Sequence, residues 1–177
     1  MLRPLMIAAF CLPTAVYAVG GDDDAPPKPT QTTTECAKGT IWDSEKKECV
    51  TIKESALDDD TLYRAVRELA YAGDYDSATL VLDAMRWQQS DRVMTYRGFL
   101  ARKQGDADTA QMYYSAALEL NPDNLLARAY MGMGLVEAGD MAAARAQLAQ
   151  IHARGGAGGW PERALNAALT GGKTYNY

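Results

Sequence analysis

Lys103–Asn124 reads KQGDADTAQMYYSAALELNPDN, and the order of its residues decides how this chain folds. Gly105 marks the end of one helix, because glycine enters a left-handed turn without steric cost. Asp106 marks the start of the next. Its carboxylate accepts the orphan N–H groups of the first turn, and its charge suits the positive end of the helix dipole. Ala110, Tyr114 and Ala117 then recur at helical spacing, and Pro122 stops the run.

The same junction occurs twice more. Ala72-Gly73-Asp74-Tyr75-Asp76-Ser77-Ala78 precedes it and Ala138-Gly139-Asp140-Met141-Ala142-Ala143-Ala144 follows it. Gly73 and Gly105 are 32 residues apart, and Gly105 and Gly139 are 34 apart. Ala78, Ala110 and Ala144 each follow their glycine by five positions, where a small residue lets paired helices approach closely. A period near 34 residues identifies a helical repeat array.

On these residues the chain resembles the tetratricopeptide repeat (TPR) family over residues 59 to about 156. In the middle repeat Gly98, Gly105, Ala110, Tyr114, Ala117 and Pro122 fall where the family has its Gly, Gly, Ala, aromatic, Ala and Pro. The third repeat keeps Gly132, Gly139, Ala144 and Leu148. The first has Val66 and Leu82 at the first Gly and aromatic positions and is two residues short, so its Trp87–Ser90 turn is expected to be tighter. Arg97 and Arg128 stand at usually apolar positions.

The resemblance implies an all-α fold of three helical hairpins stacked as a short solenoid. First helices are expected near 59–72, 91–104 and 124–138, and second helices near 75–88, 107–120 and 141–154. Each pair leaves an apolar face that only a neighbour covers. Trp160-Pro161-Glu162 opens a capping helix over 160–170, with Pro161 in the favoured first turn. The Gly155–Gly159 run is a hinge: no Lys-Ser or Lys-Thr follows it at phosphate-loop spacing. Residues 171–177 form a tail.

The segment before the repeats divides into three. Arg3, the apolar Leu5–Val16 stretch and Val16-Tyr17-Ala18 read as a signal peptide over 1–18. Cys11 is a weak lipidation candidate, since Phe10 stands where a small residue is needed. Residues 19–35 (VGGDDDAPPKPTQTTTE) read as a flexible linker. Residues 36–52 suggest a β-hairpin turning at Asp43–Lys46. In an oxidising compartment a Cys36–Cys49 bridge would close it, for about 3 kcal/mol in the chain-entropy picture. This element resembles a short Cys-Gly-Trp-Asp-Cys unit of exported bacterial proteins and, more distantly, chitin-binding modules of invertebrates, which carry more cysteines. Trp42 then either covers the disulfide or stacks on a sugar.

Composition narrows the chemistry. The formal net charge of −5 argues against nucleic acid, whose phosphates need a basic surface. Catalytic groups are sparse. The single histidine, His152, reads as a helix-end residue, and Asp58-Asp59-Asp60 as a cap cluster. No metal-ligand spacing is present, and neither a cofactor nor an enzymatic activity is expected.

The resemblance places a partner-binding groove along the first helices. Its positions here are Tyr63, Arg67 and Tyr71, then Thr95, Phe99, Arg102 and Lys103, then Ala129, Met133, Val136 and Glu137, with Arg64, Tyr96 and Tyr130 at the edge. Spacing alone puts Tyr63, Arg67 and Tyr71 on one face. Aromatic and basic, such a groove suits a protein or peptide ligand with acidic and apolar residues. The family's two-carboxylate clamp is not reproduced. The expected function is therefore a periplasmic or secreted adaptor in envelope assembly or maturation, without stable membrane insertion. The alternative is ligand or glycan binding through the hairpin, with the repeats as a spacer.

Overall fold

The computed structural model describes residues 24–52, 56–172 and 174. The proposed signal peptide, Cys11 and most of the tail lie outside them. Ten elements follow in order: α1 (Gln31–Thr34), β1 (Thr40–Asp43), β2 (Glu48–Thr51), α2 (Asp59–Tyr71), α3 (Tyr75–Ala84), α4 (Asp91–Lys103), α5 (Ala107–Leu120), α6 (Leu125–Glu137), α7 (Met141–Ala153) and α8 (Trp160–Gly171). The last seven helices are three antiparallel pairs and a cap, the expected architecture.

The glycine–aspartate junctions explain why the pairs turn so sharply. Gly105 has φ +89°, with Gly73 at +81° and Gly139 at +82°. The backbone N–H of Asp106 returns to the carbonyl of Ala101 at 2.9 Å, closing α4. Its side chain meanwhile accepts from the N–H of Thr109 at 3.0 Å, opening α5. Asp74 and Asp140 do the same, bonding back to Leu69 and Leu135 and forward to Ser77 and Ala143. One residue thus satisfies orphan groups of two helices at once. The small residues work as expected: Ala78, Ala110 and Ala144 are fully buried. Gly98 allows the α4–α5 approach, since a Cβ there would lie 2.6 Å from the Tyr114 ring.

Helix α3 stops at Ala84, four residues short of the expected end, because Met85 is extended. The Gln88 side chain replaces the missing backbone donors, bonding the carbonyls of Leu82 and Met85 at 2.9 and 2.6 Å. Asp59 holds the same loop by accepting from the N–H groups of Arg86 and Trp87. Its neighbours in the acidic cluster are also structural. Asp58 caps α2 through Thr61, and Asp60 pairs with Arg92 at 2.7 Å.

The arginines at apolar positions find acceptors. Buried Arg128 donates to the Pro122 carbonyl at 2.7 Å and to Gln147, and Arg97 bridges Asp83 and Gln88. His152 reaches Glu162 across the α7–α8 junction at 2.7 Å.

The hairpin is present and closed by Cys36–Cys49, with Cα atoms 5.6 Å apart. Trp42 sits directly opposite Cys49 in the register, on one face, while Ile41 is buried on the other. The linker expected over 19–35 is shorter than anticipated. Residues 31–34 form a helical turn, because Glu68 of α2 captures its N-terminus. The carboxylate accepts from Thr30 N and Oγ1 at 2.6 and 2.7 Å and from Thr33 N and Oγ1 at 3.2 and 2.5 Å. That contact ties the N-terminal module to the first repeat.

Candidate functional site

The first helix of each pair, and then the cap, contributes an aromatic residue about one turn earlier than the one before it. Tyr71 ends α2, Phe99 is central in α4, Tyr130 lies in the first half of α6 and Trp160 begins α8. Neighbouring ring centroids are 5.9, 5.0 and 6.0 Å apart along that diagonal. The diagonal also closes on itself. Tyr71 meets Trp160 at 6.3 Å and its hydroxyl bonds that of Tyr130 at 2.6 Å. Tyr96 fills the centre, 5.5 Å from Tyr63 and 6.2 Å from Tyr130.

The sequence-predicted groove residues are therefore brought together, and most of them are covered. Tyr63, Arg67, Tyr71, Tyr96, Phe99, Arg102, Tyr130 and Met133 are all buried, and Lys103 is half-buried. Two causes are on view. The Tyr71 and Trp160 rings of the first and last inner helices approach each other, and the chain's own segments lie against the face. Arg67 donates through Nη2 to the carbonyl of Ala25. Thr174 bonds Glu137 at the far end. Trp160, which the sequence marked only as the start of a cap, is the lid residue. Its signal was present in composition, as a tryptophan beside a helix-starting proline, but its partners are distant in sequence.

Burial shapes the electrostatics. Tyr130 is pushed well above the ordinary tyrosine range, by loss of solvent first and then by the neighbouring Tyr96 and Tyr71. Tyr114 is pushed up to about 12 by the same desolvation, against the pull of Arg102. The Arg102 side chain is 2% exposed and pairs with Glu137 at 2.7 Å, while its Nη2 is buried without an acceptor. Burial lowers the Lys103 ammonium to about 8, helped by the Arg102 charge. Both cations lie over Phe99, at 5.7 and 5.5 Å from its centroid. Arg92 sits 4.8 Å above Tyr63 at the other end. Cations against aromatic faces favour acidic groups and polypeptide carbonyls as ligands.

No described helix is long and apolar enough to cross a membrane. Residues 101–156 match the sequence model of the family described as tetratricopeptide repeat. No curated protein and no solved structure matches the chain.

Proposed function

We propose that this chain, whose residues 101–156 match the tetratricopeptide repeat family model, is an exported adaptor that holds a protein or peptide partner on its concave face, in envelope assembly or maturation. Protein–protein scaffolding is what the repeats themselves support. The finer reading rests on one observation: the face already accommodates polypeptide, with the Ala25 carbonyl docked on the Arg67 guanidinium. A partner segment rich in acidic and apolar residues would exchange with that stretch. The Cys36–Cys49 disulfide supports an oxidising setting, periplasmic or secreted. The role is binding rather than catalysis.

The test is crosslinking in the native envelope, comparing the unaltered chain with Arg67→Glu/Arg102→Glu. The half-exposed Lys103→Glu serves as a milder variant whose fold survives. The expected result is loss of the crosslinked partner in both variants, with helical content retained in Lys103→Glu. Partner capture unchanged in all variants overturns the concave-face assignment.

A further inference from the structure

Arg67 and Glu68 are consecutive on α2, so their side chains leave the helix about 100° apart. Each holds the same stretch of N-terminal chain at a different point. Arg67, in the concave face, donates through Nη2 to the carbonyl of Ala25. Glu68 accepts from Thr30 N and Oγ1 at 2.6 and 2.7 Å, on the side where the hairpin module docks. The step from Ala25 to Thr30 therefore crosses α2 as a strap, from one side of the helix to the other.

The strap's sequence suits that task. Residues 25–30 read APPKPT, and residues 26–30 form neither helix nor strand. Pro26, Pro27 and Pro29 fix their own φ and hold the residues before them extended. A stiff segment of this kind loses little entropy when both ends are tied. Proline also lacks an N–H, so from Pro26 to Pro29 only Lys28 needs an acceptor, while every carbonyl can accept. A guanidinium donates and never accepts. Strap and Arg67 are thus matched as acceptor to donor.

The two ends are held unequally. Glu68 is buried and takes four hydrogen bonds from Thr30 and Thr33, and the module closed by Cys36–Cys49 lies directly beyond. Ala25 is exposed and held by its bond to Arg67, and Pro26 and Pro27 are half-buried. The concave end is the one that can lift.

We infer that residues 24–29 are an internal competitor for the concave face, kept in place by the Glu68 clasp, and that they stand in for an extended, proline-bearing peptide partner. Such a partner puts its own carbonyl on Arg67 after displacing that of Ala25. The short tether to Glu68 supplies the strap at high effective concentration, so a free peptide competes at a disadvantage until the clasp opens. The inference rests on the concave-face reading and adds the partner's chemistry and the device that keeps the site closed.

The probe is a synthetic peptide with the sequence of residues 24–30, DAPPKPT, added to the full chain with its disulfide intact. Backbone amide shifts at residues 63–71 and 95–103, followed by NMR, report binding. The unaltered chain is expected to bind weakly. Glu68→Ala should strengthen binding by roughly tenfold or more as the strap is released. Thr30→Val/Thr33→Val removes two of the four donors to Glu68, leaves α2 untouched and should act in the same direction. Arg67→Gln added to either should abolish the gain. A peptide with alanine in place of its three prolines should bind weaker by roughly tenfold, because it is less restricted when free.

The inference is overturned by no saturable shift in the released variants, by equal binding to released and unaltered chains, or by equal binding of the alanine peptide. Those results leave the crosslinking test of the adaptor untouched. Peptide binding as expected, with no crosslinked partner in the envelope, would instead remove the adaptor reading and leave the strap.

Discussion

Tyr71 and Tyr130 join their hydroxyls at 2.6 Å across 59 positions of sequence, and both side chains are buried. This bond connects the end of the first inner helix to the third and skips the second. It adds a side-chain contact between helices that are not neighbours in the array. Tyr71→Phe should cost about 1 kcal/mol, because the Tyr130 hydroxyl is left buried with a partner removed. In a double-mutant cycle with Tyr130→Phe the two losses should fall short of additive. Chemical denaturation of the four proteins measures this, and strict additivity would show that the bond contributes nothing.

Alkaline pH should loosen the same cluster. Both Tyr114 and Tyr130 ionise above the ordinary tyrosine value of 10 in the folded chain, Tyr114 at about 12. A raised folded-state value means that the stability they contribute is complete below pH 10. It is lost as pH rises from there through the folded-state values. Ultraviolet titration of tyrosinate should show a late-ionising fraction, and thermal stability should fall between pH 10 and 12. Were all tyrosines to titrate together near 10, the buried cluster would be refuted.

Each helix junction depends on an aspartate that serves two helices. Asp106→Ala removes the side-chain cap on Thr109 and should cost about 1 kcal/mol. Gly105→Ala, at φ +89°, should cost about 1–2 kcal/mol through strain in the left-handed region. Melting curves check both, and a neutral effect of either would break the account of the turn.

Glu68 fastens the N-terminal module to the repeats. Glu68→Ala should expose the amides of residues 30–33 to hydrogen exchange and leave those of α4–α7 protected, because the lost bonds are confined to Thr30 and Thr33. Exchange that spreads uniformly through the repeats would mean that the module is integral to their stability.

Much of the fold was legible because its signals are local. A helix stop and start lie within two residues at Gly105-Asp106, and a helical period of a few positions puts Tyr63, Arg67 and Tyr71 on one face, while the rest of the expected groove came from the family resemblance. The early end of α3 was not legible. It depends on Asp59 reaching the Arg86–Trp87 backbone from 27 residues away. The same holds for α1, a tract of threonines that becomes helical only where Glu68 supplies acceptors. The expected partner residues were legible as a list and not as a surface, since a sequence pattern says which side chains share a face and nothing about what lies over it.

By itself, the sequence determined the helices of the repeats apart from the end of α3, their pairing and their handed junctions, because capping and left-handed glycine conformations are settled by residues within one turn of each other. Tertiary structure alone decided that Tyr71 meets Tyr130 and Trp160, that Ala25 lies on Arg67 and that Thr30 lies on Glu68. Those contacts join segments far apart in sequence, so they depend on how the helices stack and how the N-terminal module docks on α2, and are written at no single position.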